Sequence, residues 1–502
     1  MGVVARQSIK GAIANYIGIA IGFVTTFFVL TDCLSQEEIG LTRVMVDAAL
    51  LFSGLAQMGT NSSIIRFFPY FKSEGDERNH GIFGWSVLIP FVGFLIFLCG
   101  FFLFRDSIVS AYSSKSPLFV DYCYLLLPLT FFALYLTVFE TNASVLMRIT
   151  VPRVVREIGI RVFNLICYLL YGYGCISLDV FVILFCGSYG VAMLLNLCYL
   201  FSLGKISFRI DWKFLSKPML KDMLRYTLFM TIAVMAGNIP LINSLFLGAK
   251  EGLALTGVYT IAFYIANIVE VPYRSLGAIS RPLVAQAVKD KNWVEVNRLC
   301  RQVSLHQLLV ASLIYFFICI NLKALFAVIP HGVEYLGGIG VVFLLGLAKI
   351  VNSSLSISVD VLNYSKHYPM TLFFNLLLTV SAIVLNSVLI SWWGINGAAG
   401  ATLFAYLIYF VVLMLFDWFT MRVALFSKGQ LKVLLLMGVL VVLNGLWSLW
   451  LTPLFGDGQM WLIVEACVRS LCLMVVGLWI LYQMHLSHDV DTLILKIIKI
   501  KH

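Results

Sequence analysis

Apolar stretches of roughly twenty residues, about fourteen in all, recur along this chain with only short links between them. At 1.5 Å of rise per residue, such a stretch matches a hydrocarbon core about 30 Å thick, so each is long enough to span a bilayer as a helix. A helix satisfies its backbone hydrogen bonds within one segment, whereas the strands of an outer-membrane barrel would alternate in polarity, and these stretches do not. The pattern predicts an all-α integral membrane protein. Composition agrees: 61% of the 502 residues are hydrophobic and 12% charged, with a mean hydropathy of +0.95, which excludes a soluble globule. The formal charge of +10 would suggest nucleic acid in a soluble protein; here the placement of the charge matters more than its sum. The eleven Cys, among them Cys167, Cys186, Cys319 and Cys472, fall mostly in apolar stretches without a CxxC pair. They read as small hydrophobes, not as a metal site or a disulfide framework.

The spans fall at 11–31, 38–61, 81–104, 119–144, 158–175, 178–203, 226–248, 254–277, 303–329, 335–361, 370–391, 395–418, 431–452 and 460–482. The first follows Arg6 and Lys10 and is too long for a signal-peptide core, so it reads as a retained helix. With the N-terminus inside, about 28 of the 35 Lys and Arg fall in inner links or at the two ends, while the outer links hold Arg105, Lys115 and Lys250. That asymmetry places both termini in the cytoplasm. No link is long enough for a catalytic domain or a phosphate-cradling loop, so the function lies in the membrane. The tail from Asp489 to Lys501 alternates Leu and Ile with Lys; it suits either a surface amphipathic helix or a solubilising basic end.

Internal repetition is short but consistent. Gly40-Leu41-Thr42-Arg43-Val44 is answered by Ala254-Leu255-Thr256-Gly257-Val258, and Arg66-Phe67-Phe68-Pro69 by Arg281-Pro282, at nearly the same offset. Helices one to six and seven to twelve then read as parallel repeats, an arrangement that typically places a substrate path between the halves. The last two helices are an appendix.

Glu37-Glu38-Ile39-Gly40-Leu41, Gly257-Val258-Tyr259 and the run Gly394-Ile395-Asn396-Gly397-Ala398-Ala399-Gly400-Ala401-Thr402 resemble the bacterial polysaccharide flippases. These export O-antigen and capsule repeat units within the multidrug/oligosaccharidyl-lipid/polysaccharide superfamily. The resemblance implies a V-shaped, MATE-like pair of six-helix bundles with two extra helices: an N-terminal bundle at 1–203, a cytoplasmic linker at 204–225, a C-terminal bundle at 226–418, two more transmembrane helices at 419–484 and a basic tail at 485–502. It implies a monomer in the bacterial inner membrane that moves an undecaprenyl-pyrophosphate-linked oligosaccharide to the outer leaflet, alongside membrane lipids and other polysaccharide assembly proteins. A proton or sodium gradient would drive it, without cofactor or metal. Related lipid II flippases carry cations in their first helix; residues 11–31 have none, which disfavours that subgroup.

Polar residues inside the spans mark the candidate cavity. Lys349, Asn352, Ser353, Ser356, Asp360 and Asn363 recur at three- and four-residue steps and so share one face of the tenth helix. Thr260, Tyr264, Asn267, Glu270 and Arg274 do the same in the eighth, and Arg43, Asp47, Gln57 and Asn61 in the second. The fourth carries Thr130, Thr137, Glu140, Thr141 and Ser144. Each charge at membrane depth costs at least about 2.5 kcal/mol on insertion scales and should face water or another charge. Arg43, Asn267, Arg274, Lys349, Asn352 and Ser356 are the substrate-cavity candidates; Asp47, Glu140, Glu270 and Asp360 are the ion-coupling candidates. Arg43 with Asp47, and Glu270 with Arg274, equally suit self-neutralising insertion pairs. Lys349 has no carboxylate three or four residues away, so its ammonium must meet water, another helix or an anionic substrate group. Pro90, Pro128, Pro240 and Pro272 fall inside spans, and Pro240 with Asn238 is the candidate hinge.

Two rivals remain: an ion-coupled multidrug exporter of the same superfamily, and a membrane polysaccharide polymerase or O-acyltransferase. The short outer links and the lack of a mid-span His count against the enzymes; His306 lies near an inner end. In a background without native Cys, a Cys at Ser114 or Gly456 should react with an impermeant thiol reagent from outside, and one at Ser216 should not. Labelling of the Ser216 position from outside overturns this topology.

Overall fold

The computed structural model describes residues 17–486 apart from 73–78, 205, 212–213, 215, 236–238, 426 and 457, and no described residue lies in a strand. The main helices are α1 (Ile17–Cys33), α2 (Gln36–Ala56), α3 (Thr60–Phe71), α4 (Ile82–Ser113), α5 (Leu126–Val145), α6 (Ile160–Gly172), α7 (Leu178–Ser202), α8 (Lys217–Met235), α9 (Ile239–Lys250), α10 (Leu253–Asn267), α11 (Val271–Lys289), α12 (Trp293–Ile320), α13 (Ile339–Tyr364), α14 (Met370–Phe416), α15 (Lys428–Trp450) and α16 (Gln459–Met484).

Among the described residues, ten helices are long and apolar enough to cross a membrane, fewer than the fourteen expected. The difference has local causes. Spans 370–391 and 395–418 form one continuous run interrupted at Gly394, whose φ of 53° and ψ of −130° suit glycine alone. There the chain doubles back so tightly that a Cβ on Gly397 would meet the Leu389 carbonyl oxygen at 2.0 Å. The expected span 226–248 comprises the end of α8 and α9, and 158–175 begins behind a π-helical turn at Val155–Gly159. Residues 11–16 of the first span lie outside the described residues.

The helices pack as two compact units. One holds the described residues up to Ile261 with Asn386–Ala398, the other Ala262–Leu385 with those from Ala399 onward. In the first, Leu134, Val138, Phe139 and Ala143 of α5 pack with Phe83 and Phe94 of α4 and Ala192 and Leu200 of α7. The opposite side of α4 leaves Phe102, Leu103 and Phe104 exposed, as a lipid-facing helix requires. Ser35 caps α2 in a capping box with Glu38, and the Tyr171 hydroxyl donates to Glu38 Oε1 at 2.5 Å.

In the second unit, Leu305, Leu308 and Phe316 of α12 pack against Val433 and Leu436 of α15 and Leu473 of α16. The last two helices are joined to this unit by polar contacts as well. Glu465 of α16 pairs with Arg469 at 3.2 Å and accepts from Trp447 of α15, while Arg469 Nη2 donates to the Ile320 carbonyl at the end of α12. These polar bonds fasten α15 and α16 to α12.

Three of the four prolines stand near the starts of helical segments, where a missing N–H costs little: Pro128 in α5, Pro240 in α9 and Pro272 in α11. Pro90 alone of the four stands within a helix body. Asn238 lies outside the described residues.

The start of α2 crosses the start of α10 without clearance. A Cβ on Gly40 would stand 1.9 Å from the Leu253 carbonyl oxygen, and one on Gly257 2.0 Å from that of Gln36. Each glycine packs on the residue one turn before the other. The packing therefore equates Gly40 with Gly257, one turn beyond the Ala254 that the sequence match supplied. Gly40→Val and Gly257→Val should each cost about 1–3 kcal/mol through overpacking and lower the melting temperature in detergent. Gly100→Val should leave it unchanged, because a Cβ there meets nothing within 4 Å. Equal melting of all three variants refutes the crossing.

Candidate functional site

The candidate residues occupy separate places. In the first unit, Arg43 Nε meets Asp47 Oδ2 at 2.6 Å, and the same oxygen accepts from the Ser244 hydroxyl of α9 at 2.6 Å. Asn61 donates to Gln57 at 2.6 Å. Glu140 pairs with Arg156 at 2.6 Å. Thr137 and Thr141 turn their hydroxyls back on carbonyls of their own helix.

The second unit holds Asn267, Glu270, Lys349, Asn352, Ser356 and Asp360. Pro272 has no N–H to offer the carbonyl four residues earlier, and the chain tightens there into a 3-10 turn at Ile268–Glu270 between α10 and α11. This turn presents Glu270 to α13. Glu270 Oε1 lies 3.2 Å from Lys349 Nζ and accepts from Asn352 Nδ2 at 3.0 Å. Lys349 and Asn352 are three residues apart, so one face of α13 delivers both donors to one oxygen. The Phe263 ring lies 5.5 Å from the ammonium, within cation–π reach. Lys349 is 5% and Glu270 8% exposed. The ammonium therefore meets another helix, the second of the three possibilities the sequence left open.

Farther along α13, the Ser356 hydroxyl donates to Gln307 Oε1 of α12 at 2.8 Å, and Ser353 bonds to the Lys349 carbonyl. Asp360 pairs with Arg281 of α11 at 3.3 Å. Asn363 accepts from Thr371 at 2.8 Å. Asn267 ends α10 half-buried. The side chain of Arg274 lies outside the described residues. The polar face of α13 is thus engaged along its length by neighbouring segments. Sequence reasoning passed over Gln307 and Phe263. Gln307 had a weak signal, as a polar residue between Ser304 and Ser312 on an apolar helix.

A buried ion pair of this kind is chemically exacting. Removing one partner strands a charge in a low-dielectric interior, at about 3–5 kcal/mol, whereas removing both is often neutral for folding.

The sequence matches the family described as "Polysaccharide biosynthesis protein" over residues 4–288. No curated protein matches. Among solved structures, the lipid II flippase MurJ in an inward closed conformation superposes with a TM-score of 0.70 at 13% identity, covering 95% of this chain and 100% of that one. An inward-facing multidrug resistance MATE family transporter of the MOP superfamily gives 0.63 at 15% identity, over 81% and 98%. A MOP superfamily transporter from Pyrococcus furiosus gives 0.55 at 16%, over 82% and 95%. At these identities the structures establish the fold, and the sequence match covers more than half of the chain: the protein belongs to the polysaccharide biosynthesis protein family and has the fold of the MOP superfamily transporters.

Proposed function

We propose that the protein is a flippase that carries a lipid-linked oligosaccharide, joined through a pyrophosphate, from the inner to the outer leaflet of a bacterial inner membrane. It is a transporter, not an enzyme, and an ion gradient drives it. The observation that carries this reading is the buried contact of Lys349, Glu270 and Asn352 in a member of the polysaccharide biosynthesis family. An interior ammonium held by a single carboxylate is a receptor for a multivalent anion: pyrophosphate oxygens outcompete the carboxylate once Glu270 is neutralised or drawn aside. Asn352 then keeps a donor for either partner. On this reading Arg43 in the first unit, and Arg274, Asn267 and Ser356 in the second, are the further candidates for substrate contact. Asp47, Glu140, Glu270 and Asp360 are candidates for responding to the ion, and Asn238 with Pro240 for the hinge. The related multidrug reading differs in cargo, because it has no need of a buried ammonium for a pyrophosphate.

The test separates transport from folding by removing the pair whole. Lys349→Gln with Glu270→Gln removes both charges of the contact, so protein level should fall less than in either single variant. Surface glycan should fall by roughly tenfold or more, about 1.4 kcal/mol in effective affinity. Lys349→Arg should keep part of the export. If the double variant exports as the parent does, the pair serves insertion only. If glycan export is normal without the protein while efflux of cationic drugs is lost, the cargo is a drug.

A further inference from the structure

Among the described residues four carboxylates are fully buried: Asp47, Glu270, Asp417 and Glu465. Three of them have a cation, namely Arg43, Lys349 and Arg469. Asp417 is 1% exposed and has none among the described residues. The Ser358 hydroxyl of α13 donates to its Oδ2, and its Oδ1 has no hydrogen-bond partner among the described residues. An isolated carboxylate in a low-dielectric interior is far costlier than a neutral acid. The usual resolution is uptake of a proton.

The backbone singles out the same residue. Asp417 opens a π-helical turn, Asp417–Met421, at the end of α14, and such turns recur at functional sites. Its carbonyl accepts from Val423 N at 3.0 Å, behind Arg422 at a φ of 54°. Asn297 of α12 fixes the exit, accepting from Ala424 N at 2.8 Å and donating to the Arg422 carbonyl at 3.4 Å. Asn297 also lines a surface cavity of about 680 Å³ with Arg298, Arg301 and Gln302. Cys300 of α12 and Tyr409 of α14 lie within electrostatic reach of Asp417. On α13 the nearby Asp360 is engaged by Arg281, and in the turn after α13 His367 stands edge-on to Phe416, the neighbour of Asp417, at 5.8 Å. None of these supplies a fixed positive charge to the carboxylate.

We infer that Asp417, with Ser358 as its hydrogen-bond partner, is a proton-binding site that the transport cycle loads and unloads. It deepens the flippase reading, on which its coupling role rests, and adds Asp417 to the candidates Asp47, Glu140, Glu270 and Asp360, each of which already has a cation. Binding forms an O–H bond on Asp417 with a proton taken from water; release returns the proton to water. Any movement of α14 past α13 that withdraws Ser358 or admits water changes the proton affinity, which is the link needed between ion and conformation.

Difference infrared spectroscopy between acidic and alkaline pH tests this on purified protein in phosphatidylethanolamine–phosphatidylglycerol vesicles. The parent should show the carbonyl band of a buried protonated carboxylic acid at neutral pH. The band should disappear in Asp417→Asn and persist in Asp360→Asn. Should Asp417→Asn fail to fold, Ser358→Ala removes the hydrogen bond and should shift the band. A parent without the band, a band that survives Asp417→Asn, or one unmoved in Ser358→Ala overturns the proposal, as does a band that yields to sodium and not to pH. In cells, Asp417→Asn should flatten the pH dependence of glycan export, and an unaltered dependence also overturns it. A proton band without any glycan export by the parent faults the flippase reading and leaves the proton site in place.

Discussion

An ionised side chain at membrane depth must be met by opposite charge, and much of the described interior is organised by how that demand is met. Arg43 with Asp47, and Glu465 with Arg469, meet it within one helix at four-residue spacing. Such a pair forms as soon as its helix does, and travels with it. Lys349 with Glu270 meets it between segments distant in the chain, so this pair exists only when α13 faces the turn that follows α10. The first kind makes a helix insertable. The second makes an arrangement of helices electrically neutral, and it alone changes when that arrangement changes.

The interhelical pair depends in turn on a backbone detail. A regular helix through Ile268–Glu270 would carry the carboxylate around the axis by 100° per residue, whereas the 3-10 turn ahead of Pro272 tightens that rotation. One imino acid thereby helps decide which helix Glu270 addresses. The same economy operates at Asn297, whose amide uses both ends to hold the strand of backbone leaving α14.

What could be read from the sequence follows the range of the interaction involved. Spans such as 178–203 were legible because length and hydropathy are local properties, and α7 ends within a residue of that reading. The Arg43–Asp47 pair was legible because helical geometry fixes its spacing. The partner of Lys349 was not, since no periodicity links residue 349 to residue 270. Asp417 stood at the end of an expected span and was not singled out; its hydrogen-bond partner Ser358 lies 59 residues away in the chain. The alignment of Gly40 with Ala254 followed residue similarity, whereas backbone clearance follows absence of a side chain, and that rule selects Gly257.

The paired glycines have a mechanical corollary. Because each rests on the turn preceding the other, the crossing of α2 and α10 is isologous within one chain, as a two-fold dimer interface is between two. Sliding either helix along its axis removes both glycines from their seats at the same instant and brings a side-chain-bearing residue onto each carbonyl. The crossing thus has no half-engaged state; it behaves as a latch with two bolts on one bar.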